Sequence, residues 1–175
     1  MKLLRTFVIV MWMCLFAPMA LMGCHPPAKI YQSKLDPLAL QQMQTQEFET
    51  SKKILLAATI SVFQDTGFTI DTGDYETGLI TAKSPTSFNK ESRYSEQGLG
   101  FSMSERATAF VEETRLNYAK VRLNYIQTSR FNNGLGEGAP MDSPNEDPAY
   151  YEKVFNKIRE AVFLREAYKA TPAAK

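Results

Sequence analysis

Residues Tyr118–Thr128 read YAKVRLNYIQT, and their alternation decides the fold. Tyr118, Lys120, Arg122, Asn124 and Ile126 fall on one side, and Ala119, Val121, Leu123 and Tyr125 on the other. A period of two with one polar and one apolar side predicts an antiparallel strand with one wet face. The dry face must be covered, and amphipathic helices are the usual cover. Lys120 and Arg122 fall on the wet side and read as solvated side chains rather than a substrate-binding pair.

Two segments have the spacing of such helices. Ser51–Asp65 (SKKILLAATISVFQD) places Leu55, Ala58 and Val62 on one stripe, widened by Ile54, Ala57 and Phe63. Thr50 reads as its N-cap, and Gly67 suits the left-handed position after its end. Asp147-Pro148 opens the second helix, with a capping carboxylate followed by a proline whose missing N–H costs nothing there. That helix is predicted from Pro148 to Tyr168. Its apolar face is Tyr151, Phe155, Ile158, Val162 and Leu164 or Arg165, widened by Phe163.

Between these lie further short strands. Met43–Glu49 alternates weakly. Phe68–Asp71 and Gly78–Lys83 flank the turn-rich Thr72–Thr77 and predict a hairpin. Phe68, Ile70, Leu79 and either Thr81 or Ile80 would face the helix, depending on register. Ala107–Glu112 is the next strand. Residues 84–106 and 129–146 read as long loops, the first being either a contact surface carrying Phe88, Tyr94 and Phe101 or an insertion without structure. The fold class is therefore α+β: a two-layer sandwich over residues 43–168, a mostly antiparallel sheet packed by two helices. Residues 169–175 are expected to fray.

The N-terminus has a different character. Lys2 and Arg5 precede the apolar run Phe7–Phe16, and Ala17–Cys24 reads APMALMGC. A positive end, an apolar core and small residues at a cut make a secretory signal. Leu21-Met22-Gly23-Cys24 resembles the bacterial lipobox, which implies cleavage between Gly23 and Cys24 and a diacylglycerol and an N-acyl chain on Cys24. The competing reading is a retained helix, because Leu3–Gly23 is 21 residues, near the ~20 that span a bilayer. Residues 24–42, with Pro26, Pro27 and Pro37, read as a tether reaching up to ~60 Å, with room for a short helix at Pro37–Met43.

Composition excludes several functions. The chain has 20 Lys and Arg against 19 Asp and Glu, and losing Lys2 and Arg5 with a signal leaves 18 against 19. Near-neutral charge gives no electrostatic case for nucleic acid. Cys14 would leave with the signal and Cys24 would be acylated, so the domain would carry no disulfide. His25 is the single histidine. A domain without His or free Cys lacks the usual zinc ligands and nucleophile pairs. Glu137, Asp142, Glu146 and Asp147 lack the spacing of a calcium loop. Glu112 and Glu113, adjacent on a strand, point to opposite faces and so do not form an acid–base pair. No cofactor, metal or catalytic residue is expected.

Gln44–Thr50 (QTQEFET), Val62–Ile70 (VFQDTGFTI), Gly78–Lys83 (GLITAK), Val121–Asn124 (VRLN) and Asp147–Leu164 together resemble a group of small bacterial lipoproteins of unknown function. The helix-plus-hairpin order is also similar, at the level of fold, to BamC-type domains of outer-membrane assembly lipoproteins. His25 rather than Asp follows Cys24, and the resemblance to Gram-negative sorting signals implies an outer-membrane anchor facing the periplasm. The lipobox, the tether and a domain without His or Cys point to a non-catalytic accessory with a membrane anchor and an envelope protein partner. The alternative is a binding module for a small apolar or glycan ligand, with Tyr94, Phe101, Tyr125 and Tyr151 as contact residues in either case.

Overall fold

The computed structural model describes residues 33, 35–88, 99–133 and 138–170. The signal, Gly23, Cys24, Tyr94 and the tail after residue 170 lie outside them. The element order is α1 (Pro37–Met43), β1 (Thr45–Phe48), α2 (Lys52–Asp65), β2 (Thr69–Gly73), β3 (Leu79–Lys83), β4 (Ser87–Phe88), β5 (Leu99–Arg115), β6 (Tyr118–Asn133), β7 (Met141–Pro144) and α3 (Pro148–Ala170).

The strands form one seven-stranded sheet in the order β1-β6-β5-β3-β2, with β4 against β5 and β7 against β6. Every pairing is antiparallel. Helices α2 and α3 pack side by side on one face, so the molecule is the expected α+β two-layer sandwich. The dry face of β6 is Ala119, Val121, Leu123 and Tyr125, all buried. Opposite them on β5 stand Ala107, Ala109 and Val111. Small side chains there let the helical layer approach the sheet, and Leu55, Phe63, Ile158 and Tyr151 fill the space above.

The predicted caps divide. Asp147 Oδ1 accepts from the Ala149 N–H at 3.0 Å, so α3 starts where the sequence places it. Gly67 adopts φ +90 after α2. Thr50 does not cap α2. Ser51 holds that position, and the Thr50 hydroxyl donates to Glu166 Oε1 on α3 at 2.6 Å. Nearby, Arg165 donates to Ser61 Oγ at 2.6 Å, tying the C-terminal half of α3 to α2.

Four further expectations need correction. Residues 99–106 are strand rather than loop: β5 begins at Leu99 and pairs without a break with β6, which runs on to Asn133. Residues 141–144 of the second expected loop are β7, paired with β6. Leu79 faces away from the helices, because Ile80 and Ala82 take the dry face opposite Ala109 and Ala107. A shift of one residue would reverse every side chain on the strand, so burial of Ile80 fixes Leu79 outward. Phe163 does not widen the core face of α3 and is 71% exposed, as Leu164 also is exposed, while Val154 is buried in its stead. The short helix for which the tether has room forms at Pro37–Met43, and Asp36 caps it through the Leu38 N–H.

Candidate functional site

The β5–β6 ladder carries the chain past the end of the helical layer as an arm. Where the arm leaves the helices, one cross-strand row holds Glu105 on β5, Gln127 on β6 and Ser143 on β7. That row, with Leu35 and the connection Pro144–Asp147, lines a surface cleft of about 550 Å³. The connection is held by its backbone and side chains: the Asn145 N–H donates to Tyr125 O at 2.8 Å and the Asp147 N–H to Asn145 Oδ1 at 2.9 Å.

Three tyrosines stand behind the cleft. Tyr125, Tyr150 and Tyr151 meet edge to face, with ring centroids 5.0, 5.8 and 6.2 Å apart. The Tyr151 hydroxyl donates to Asn145 O at 3.2 Å and accepts from Gln44 Nε2 at 3.3 Å. The Tyr150 hydroxyl donates to Glu105 Oε2 at 3.2 Å. Burial raises the pKa of all three phenols, so they stay protonated and act as donors. Tyr125 and Tyr151, contact residues on the sequence reading, are core residues instead. A tyrosine with an apolar body and a satisfied hydroxyl packs inside as readily as outside.

Glu105 and Glu146 are the half-buried acids of the cleft. Burial pushes the Glu105 carboxyl above the ordinary glutamate range, opposed by hydrogen bonds from Tyr150 and Asn145. Its folded pKa therefore exceeds its unfolded one. As pH rises the unfolded chain ionises first, so this site's contribution to stability falls between the ordinary value and the raised one. Glu105→Gln keeps an acceptor for Tyr150 and removes the ionisation. Thermal unfolding from about pH 4 to about pH 8 should show the variant gaining on the wild type through that window and then holding level. A constant difference across the range would assign no ionisation penalty to Glu105.

Further along the arm the exposed side chains become apolar. On the face that carries Glu105, the next row holds Met103, Ser129 and Met141, and the one after it Phe101 opposite Phe131. These phenyl rings lie 5.1 Å apart, 48% and 44% exposed, and Met141 is 72% exposed. Phe88, paired with Ser102, is exposed on the other face of the arm. Phe88 and Phe101, expected as exposed aromatics of the first loop, both lie on the surface. The sequence does carry a signal for the arm: Leu99–Ser104 reads LGFSMS, alternating apolar and small polar residues in the manner of a strand.

A second exposed apolar patch lies on α3. Phe163, Leu164 and Tyr168 all face solvent, away from the stripe of Tyr151, Phe155, Ile158 and Val162 that faces the core. Among the described residues no group of three or more His, Cys, Asp or Glu is arranged to hold a metal ion. Among the same residues no helix is long and apolar enough to cross a membrane. No protein-family model matches the chain, and no curated protein is similar to it in sequence.

Proposed function

We propose that this chain is a lipid-anchored cell-envelope lipoprotein whose folded domain works as a non-catalytic accessory, by contact with an envelope protein. The observation that carries the contact is the solvent-facing stripe on α3. The C-terminal half of that helix is apolar on two sides: one packs on α2 and the sheet, and the other presents Phe163, Leu164 and Tyr168 to water. An amphipathic helix face of this kind is a common ligand for a hydrophobic groove. Large apolar side chains exposed together on the outer side of one helix end mark a candidate interaction site. The anchor is supported by Leu21-Met22-Gly23-Cys24 and the apolar run before it.

One experiment addresses anchor and contact together. Cells fed a palmitate analogue should label the wild type and place it in the outer-membrane fraction, and Cys24→Ala should lose both label and fraction. A photo-crosslinking residue at Phe163 or Tyr168 of the wild type should then capture one defined envelope protein in intact cells. An unlabelled protein that stays in the inner membrane would replace the anchor by a retained helix. A labelled protein that captures nothing from either position would sink the accessory reading.

A further inference from the structure

The end of the β5–β6 arm has a second apolar surface, and the cleft beside it is lined by Leu35, near the start of the described chain. Leu35 lines the cleft beside Glu105, Gln127 and Ser143. Of the residues it shares that cleft with, Glu105, Gln127 and Ser143 stand one same-face row from Met103, Ser129 and Met141, and two same-face rows, about 13 Å, from Phe101 and Phe131. Cys24 precedes Leu35 by 11 residues, so it cannot lie more than about 40 Å from the cleft.

We propose that the end of the arm, through Phe88, Phe101, Phe131 and Met141, rests in the interfacial layer of the bilayer that holds the acylated Cys24. The proposal rests on the lipoprotein reading and adds a second membrane contact to it. The tether brings the arm close to the bilayer at an effective concentration of order millimolar, so that even a shallow, weak contact is occupied. The distribution of side chains favours lipid over a protein groove. Phe101, Phe131 and Met141 lie on one face of the ladder and Phe88 on the other. A partner protein covers one face of a thin ladder, whereas an interface about 5–10 Å deep surrounds it on both. The contact orients the domain, holding the arm end to the membrane and leaving the α3 stripe facing the periplasm, where a protein partner can reach it.

The test uses the full chain, purified from membranes and reconstituted in vesicles of phosphatidylethanolamine and phosphatidylglycerol. Under the lipoprotein reading Cys14 is removed and Cys24 acylated, so an introduced cysteine is the one free thiol. Met141→Cys, Phe88→Cys and, as an exposed control on α3, Lys153→Cys are labelled with an environment-sensitive fluorophore. Blue-shifted emission that spin-labelled lipid quenches at residues 141 and 88, and not at 153, is the expected result. An unquenched probe at either arm position in an acylated, vesicle-bound protein overturns the proposal. So does a blue shift that spin-labelled lipid leaves untouched, which would mean that a second copy or another protein covers the arm. Absence of the acyl label on Cys24 is read separately and refutes the anchor, so failure of the arm and failure of the anchor are told apart.

Discussion

Gly78→Ala is expected to lower the folding free energy by about 4 kcal/mol or more, most of the stability of a domain at the low end of the ordinary range of about 5–15 kcal/mol. Gly78 closes the turn of the β2–β3 hairpin with φ +78. Asp74 organises that turn: its carboxylate accepts from the Glu76 N–H at 2.9 Å and the Thr77 hydroxyl at 2.7 Å, and its carbonyl from the Gly78 N–H at 2.9 Å. Left-handed backbone at a residue with a side chain costs roughly 1–2 kcal/mol. Steric overlap costs more. A Cβ at this position would lie 2.0 Å from the Val111 carbonyl oxygen, and the neighbouring Val111 N–H donates to Gly78 O at 2.8 Å. Backbone rather than a flexible side chain blocks the way, so β3 must pull back from β5 and loosen the pairing that begins at Leu79 and Phe110. Gly67→Ala isolates the backbone strain from the overlap: it has φ +90 with nothing within 4 Å of the added carbon, and should cost only about 1–2 kcal/mol. Urea unfolding of the two variants side by side measures the difference. Equal midpoints would show that the hairpin gives way without cost.

Phe63→Ala is expected to cost about 3–5 kcal/mol, the range for deleting a fully buried phenyl ring. Phe63 is the aromatic centre of the core, 5.9 Å from Phe68 and 6.0 Å from Tyr125, the latter edge to face. Its removal opens a hole between α2 and the sheet that neither neighbour can fill, because Phe68 is tied by its N–H to Phe63 O at 2.9 Å and Tyr125 packs against Tyr150 and Tyr151. Phe163→Ala removes the same atoms from a side chain that is 71% exposed and should change stability by less than about 0.5 kcal/mol. Calorimetry on both variants decides the point. A comparable loss at the two positions would mean that the outer side of α3 is packed in solution.

The two phenylalanines show where pattern stops being informative. Both sit in helical spacing beside aliphatic neighbours, and the sequence cannot separate a stripe facing a sheet from one facing water, since each is apolar for its own reason. The same holds for tyrosine. Tyr125 lies on the apolar side of a well-alternating strand, which by itself half determines it to be core. Its hydroxyl is compatible with a surface role until the fold closes Tyr150 and Tyr151 around it.

By itself the chain determined the class of architecture, both long helices, the capping of α3 by Asp147, the β2–β3 hairpin and the dry face of β6. These follow from local periodicity and capping, which involve only neighbouring residues. Tertiary structure decided the length of the β5–β6 arm, because residues 99–106 and 129–133 become strand by pairing with each other across the hairpin and with β4 and β7. Backbone hydrogen bonds to a distant partner leave little trace in composition, and the short alternation of Leu99–Ser104 is too brief to mark a strand without that partner. It also decided that Thr50 bonds to Glu166 rather than to its own helix, and that Leu35 lies beside the arm. The exposed apolar end of that arm and Leu35 in the neighbouring cleft come from sequence positions dozens of residues apart, and only the folded chain brings them near each other.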